Sequence, residues 1–421
     1  MPAYAAQTGQ PCQRCHVGGL GPQLTPFGRS FKLHGYTLRS NVFNVPLSMM
    51  LQASVTHTQK AAPQAVAPTF ASNDNFAFDQ ISLFLAGGLG AHLGAFAQVT
   101  YDGVAHAFHW DDLDLRATTA LDVKGHDVVI GSSLNNSPTV EDAWNTLSAW
   151  GFPYTASELA PGPATSPLLN GALAQTSLGI TGYAWIDQAF YVEAGGYESP
   201  GARTLTQLGV DPTSPGAING VAPYVRLAYE RTIGGATLQG GVFGLGAAIF
   251  PGLDRTTGFT DRYTDLGADA SLYKALANTD VITLNARYTH EQQTLNATCL
   301  LGGVADAGCA RNTVSDFRAD AAYYWRNQIG GTIQVFDTTG SPNPVIYSGN
   351  RTFKPDSTGL TFQIDGTPFG GLSQPQRRIN LRLGAQYTIY TRLNGAGINF
   401  DGAGSNARDA NTFRVFSWFA F

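Results

Sequence analysis

Cys12-Gln13-Arg14-Cys15-His16 sets two thiols on either side of a two-residue spacer, with an imidazole directly after the second. This is the attachment pattern of a c-type haem. The spacing has a physical reason: each thiol must reach a vinyl group on one side of the same ring, and the adjacent His16 is then placed to ligate the iron. The pattern predicts one covalently bound haem c, with Cys12 and Cys15 as thioether ligands and His16 as the proximal iron ligand. A dithiol redox pair and half of a zinc site are the competing readings. The first expects a thioredoxin-like α/β context and the second needs another ligand pair. The chain offers neither.

Thr25 to Gly35 predicts a short helix, with Thr25 as N-cap, Pro26 in the first turn and Gly35 just past the end. Helical spacing puts Phe27, Phe31 and His34 along one face, which makes His34 the candidate distal ligand. Met49 or Met50 is the alternative, with an open or His57-ligated iron behind them, and thioether ligation raises the potential relative to two imidazoles. Arg29 or Lys32 is placed to pair with haem propionates. Residues 1–45 thus form a small cytochrome segment. Cys299 and Cys309 bracket a small loop, and a disulfide between them is expected in an oxidising compartment.

The remainder, residues 46–421, must position that segment. Only 13% of the 421 residues are charged, about half the usual ~25%, whereas Gly reaches 49 and the aromatics are 24 Phe, 17 Tyr and 6 Trp. No run of about 18 uncharged apolar residues exists, which excludes a transmembrane helix, so any crossing of a membrane is made by strands. The net charge of −5 and the scattered Lys and Arg speak against nucleic acid as a partner. Met1-Pro2-Ala3-Tyr4-Ala5-Ala6 carries no charged stretch followed by an apolar one, so export is inferred from the rest of the chain.

From residue 46 onward, segments of alternating polarity are separated by clusters of Gly, Asn, Asp, Ser and Pro. Between 379 and 392, Ile379, Leu381, Leu383, Ala385, Tyr387 and Ile389 share one face, and Asn380, Arg382, Gln386, Thr388 and Arg392 the other. Segments near 46–58, 76–88, 91–102, 109–119, 125–133, 174–185, 188–197, 221–231, 235–247, 262–273, 279–290, 314–326, 329–337, 357–365, 377–390 and 411–421 predict sixteen strands. Most have the roughly 9–11 residues that a tilted membrane strand needs, and an even number suits closure. The last strand ends in Phe421, as closing strands of outer-membrane barrels do. The fold class is therefore all-β: a 16-stranded antiparallel transmembrane barrel with an N-terminal helical haem segment, in contact with outer-membrane lipid.

Asp112, Asp114, Asp265, Asp269, Asp316 and Asp320 fall on the presumed lumen faces, where they attract cations or pair with Arg116 or Arg318. Residues 134–173 lack alternation and include Trp144, Trp150, Phe152 and Tyr154; such a stretch folds into the lumen or caps it from outside. No Ser-His-Asp grouping or phosphate-binding glycine loop stands out, so no acid, base or nucleophile chemistry is read.

Gln10-Pro11-Cys12-x-x-Cys15-His16, followed by Pro26-Phe27-Gly28-Arg29-x-Phe31-Lys32 and a barrel, resembles the fused outer-membrane monohaem cytochrome-porins of iron-oxidising bacteria. The resemblance spans the whole architecture, and its specific part is the N-terminal segment. It implies oxidation of extracellular Fe(II), one haem in a sixteen-stranded porin, and a periplasmic electron carrier as the acceptor. Cys12, Cys15 and His16 carry over as ligands; His34 matches no motif position. From other functional classes, a plain porin with this segment as its plug and a haem enzyme with an open iron site remain as rivals.

Overall fold

The computed structural model describes residues 1–40, 45–138, 140, 142–146, 155–303, 307–369 and 379–421. Trp150, Phe152 and Tyr154 lie outside them.

Strand β9, Ala222–Ile233, shows why the chain closes on itself: Tyr224, Arg226, Ala228 and Glu230 are buried, while Val225, Leu227 and Tyr229 are exposed. Successive side chains point to opposite faces, so the apolar set is turned outward and the polar set inward, the reverse of a soluble sandwich. The same reversal puts Ile180 64% and Leu266 63% exposed on the outside, with Arg116, Arg226 and Arg382 wholly buried on the inside. An outer surface of this kind needs hydrocarbon around it.

The sheet is antiparallel throughout. Sixteen strands of 9 to 17 residues follow one another around the ring, from β1 (Leu47–Thr58) and β2 (Asn75–Gly88) to β16 (Asn380–Arg392) and β17 (Thr412–Ala420). Strand β1 pairs with both β2 and β17, with Met50 opposite Ala420 and Thr58 opposite Thr412, so the ring has no free edge. Such closure removes the unpaired backbone groups that a sheet edge would expose to lipid. Each of the sixteen predicted segments corresponds to one of these strands. A further two-residue strand, β8 (Ala217–Ile218), pairs only with β10 (Ala236–Phe250) at its rim, and no sequence pattern announces so short an element.

Connections 124–125, 187–189, 234–235 and 326–328 are tight turns at one end, the periplasmic end by the rule for outer-membrane barrels. At the other end lie long connections, among them 136–177 and 295–310. The second holds the expected disulfide between Cys299 and Cys309. Both the N-terminal segment and the end of β17 lie at the short-turn end.

The described residues of the connection 136–177 turn inward, which decides for them between the two placements open to residues 134–173. Asp142 meets Arg226 at 3.1 Å, Thr146 donates to Asp269, and the backbone amides of Leu168 and Leu169 donate to Glu291 and Asp265. The acceptors and Arg226 stand on β9, β11 (Asp261–Ala275) and β12 (Val281–Thr294). Five of the lumen carboxylates read from the sequence are buried or hydrogen-bonded there: Asp114 pairs with Arg116, Asp269 with Arg226 and Asp316 with Arg318, while Asp265 caps the loop and Asp320 accepts from Asn285. The sixth, Asp112, lines a cavity.

Candidate functional site

The N-terminal segment crosses the lumen as three short helices, α1 (Pro2–Thr8), α2 (Cys12–Cys15) and α3 (Pro26–Leu33). Helix α1 stops at Gly9, which takes φ +67°, a conformation that favours glycine. Helix α3 starts as predicted: Thr25 Oγ1 accepts from the Gly28 amide at 3.2 Å, and Pro26 occupies the first turn.

Between α2 and α3 the chain is fastened to the short-turn end of the barrel. Gln13 Nε2 donates to the Arg326 and Asn327 carbonyls, Asn327 Oδ1 accepts from the Gly18 amide, and Asn380 Nδ2 donates to the Gly19 carbonyl. Helix α3 is held on the opposite wall, where Arg29 pairs with Glu230 at 2.7 Å and Tyr183 donates to the Leu33 carbonyl. Arg29 is thus committed to a carboxylate of the barrel. Lys32 lines the cavity described next, where its ammonium donates to the Val140 carbonyl and lies 3.9 Å from Asp114.

Cys12, Cys15 and His16 line one cavity inside the barrel. Its walls are mostly apolar, with Leu20, Leu24, Phe31, Phe96 and Trp418 among them, and Val140 and Asn145 of the in-folded loop close one side. Asn145 Oδ1 accepts from the Leu24 amide at 3.1 Å, tying the loop to the segment. Gly28 lets α3 pack directly on α2: a Cβ there would fall 2.3 Å from the Cys15 carbonyl oxygen. The Pro-Phe-Gly-Arg run therefore has a packing reason for its glycine.

The chemistry of the three side chains bears on each of the competing readings. Burial pushes the Cys15 thiol up to about 11, whereas a dithiol redox pair works through a depressed thiol pKa. Burial pushes His16 down to about 3, so its ring is neutral at pH 7, and Nδ1 is buried with no hydrogen-bond partner. A neutral imidazole with an unsatisfied nitrogen beside two thiols, on the wall of an apolar cavity, suits covalent capture of a flat apolar macrocycle with a metal at its centre. Among the described residues, no group of three or more His, Cys, Asp or Glu side chains forms a metal-binding cluster.

The candidates for the position opposite His16 are not brought to this cavity. Helix α3 faces it with Gly28, Phe31 and Lys32, so the face that carries His34 and Phe27 points elsewhere. His34 caps the helix, its Nδ1 lies 2.7 Å from the Ser30 carbonyl oxygen, and its ring meets the Trp185 edge. Phe27 lies under the Arg14 guanidinium instead. Met49 points outward, 39% exposed, and Met50 is buried one layer behind the wall, beside Leu20 and Trp418. His57 pairs with Asp74 at 2.6 Å near the far end of β1. Sequence reasoning missed Val140 and Asn145, which belong to a loop with no periodicity, and did not connect Asp112 or Lys32 with a cavity wall.

No protein-family model matches the chain, and no curated protein does. Solved structures do. The chain is similar to OmpF of Salmonella typhi, solved in complex with daunomycin, at 12% identity over 90% of this chain and 98% of that one, with a TM-score of 0.51. It is also similar to the outer membrane channel DcaP of Acinetobacter baumannii, at 11% identity over 90% and 97% of the two chains, with a TM-score of 0.49. At such identity the likeness concerns the fold. The chain has the porin-type β-barrel fold, with its lumen occupied by its own N-terminal segment and an in-folded loop.

Proposed function

We propose that this protein is an outer-membrane electron-transfer protein in which one haem c, held by Cys12, Cys15 and His16, accepts electrons from extracellular Fe(II). A periplasmic carrier at the short-turn mouth takes them on. The observation that carries this reading is the convergence of two thiols and a buried, neutral imidazole on one mostly apolar cavity inside the barrel. A haem iron bound there supplies one-electron chemistry. The chain's own residues do the rest: Cys12 and Cys15 hold, His16 ligates, the apolar walls exclude water, and Lys32 offers an ammonium to a propionate. The lumen fillings also serve the reading, since a donor that yields an insoluble product is best kept on the outer side of a closed barrel.

A plain porin predicts solute permeability, and an open-site haem enzyme predicts five-coordinate iron. The test is visible spectroscopy of the detergent-solubilised protein, made in cells that attach haem c and mixed anaerobically with Fe(II). Rapid growth of sharp reduced α and β bands is expected. A haem that dithionite reduces and Fe(II) does not would remove Fe(II) as the donor.

A further inference from the structure

A second cavity in the same lumen has the opposite character. Asp79, Asp102, His109, Asp111 and Glu158 line it, and among the described residues no Lys or Arg does. Several lumen carboxylates elsewhere are matched with guanidinium groups, as in Asp114 with Arg116, Asp269 with Arg226 and Asp365 with Arg382. Here the four carboxylates have a single guanidinium partner among the described residues, Arg414, which meets Asp79 Oδ2 at 3.0 Å. Asp79 is only 7% exposed, and its other oxygen, Oδ1, is buried with no hydrogen-bond partner. A buried carboxylate oxygen left unsatisfied is costly unless a positive charge comes to it. Glu158, on the in-folded loop, has its carboxyl pushed up by burial and by Asp102 beside it, a further mark of excess negative charge.

Consecutive residues of one strand line the two cavities. Strand β3 (Leu93–Asp102) pairs Ala97 with Leu113 and Val99 with Trp110 of β4 (Ala107–Val123), so Gln98 stands opposite both Asp111 and Asp112. This is a β-bulge, which re-aims the side chains it carries. Asp111 lines the acidic cavity and Asp112 the cavity of Cys12, Cys15 and His16. From His109 to Asp112 the strand climbs about 10 Å at ~3.3 Å per residue. His109 and Asp102 lie toward the long-loop rim, so the acidic cavity is the outer of the two.

We propose that the acidic cavity is the docking site of a hydrated divalent transition-metal cation, set on the outer side of the haem cavity. The identity of that cation as Fe(II) rests on the function proposed above; the binding of a divalent cation does not. Carboxylates with one imidazole suit Fe(II) and Mn(II). Because no three of these groups form a preformed metal cluster among the described residues, the cation keeps much of its water and is held chiefly by charge. Such a loose site also suits release of a ferric product, which a closed carboxylate cage would retain.

The probe is Mn(II), followed by the electron paramagnetic resonance of the free ion as it is titrated into the haem-loaded, detergent-solubilised protein. One saturable site per chain is expected. Glu158→Gln is expected to weaken it at least tenfold and Asp102→Asn/Glu158→Gln further. Glu158 lies on the loop, outside every strand, so its replacement leaves the barrel intact, and retained heat-modifiable migration on a gel checks this. The Cys12→Ala/Cys15→Ala chain is expected to keep the site, so that failure of haem attachment and failure of cation binding are read separately. No saturable Mn(II) binding, or equal affinity in wild type and both carboxylate variants, would overturn the proposal.

Discussion

The N-terminal segment and the loop between β5 (His126–Asn135) and β6 (Leu178–Ile186) both fill the lumen, from opposite ends and by different means. The segment's contacts near Cys12 and His16 are mostly neutral hydrogen bonds to backbone and amide groups, from Gln13, Asn327 and Asn380. The loop is held mainly by charged groups, with Asp142 and Thr146 gathered around Arg226 and Asp269. The difference separates two environments within one barrel. Neutral fastening surrounds the thiols and imidazole with a mostly apolar cavity, while the loop and its acidic neighbours make a charged approach to it. Neutral hydrogen bonds contribute about 1 kcal/mol each and are individually dispensable; a buried ion pair that loses one partner is not.

This contrast is open to direct attack. Asp269→Ala leaves Arg226 with Asp142 as its remaining carboxylate and removes one of the two acceptors of Thr146 Oγ1, and is expected to destabilise the in-folded loop by about 3–5 kcal/mol. Hydrogen exchange is expected to rise at 142–146 and to stay unchanged at 12–20; equal loosening of both would mean that loop and segment are one unit. Gly28→Ala drives a methyl group into the Cys15 carbonyl, and the expected cost is about 1–3 kcal/mol. Its exchange effect is expected in 12–33, with the loop unmoved. Thr25→Ala removes the N-cap oxygen of α3 for about 1 kcal/mol, read as faster exchange of the first-turn amides of α3 alone.

The barrel was legible because its alternation is local. In the segment from Ile379, Leu383 and Tyr387 point outward while Arg382 and Gln386 are buried, as two-residue periodicity requires. The cap and start of α3 were legible for the same reason, since Thr25 and Pro26 act within one turn. Which face of α3 meets the cavity was not. That depends on Gly28 seating against the Cys15 carbonyl, a contact between helices that turns Phe31 and Lys32 inward and leaves His34 to bond its own helix. The inward path of the loop was equally hidden, because Asp142 finds its partner Arg226 far along the chain. The bulge that presents Asp111 and Asp112 together is a property of the pairing with β3. Nothing in the alternation of β4 alone marks it.

The central claim is that Cys12 and Cys15 carry a haem. Intact mass spectrometry of the denatured protein, from cells with the haem c attachment machinery, tests it most directly. The account predicts a mass raised by one haem that survives acid and organic solvent and is absent from Cys12→Ala/Cys15→Ala. An unmodified mass for the folded wild-type protein would contradict it and leave a plugged porin.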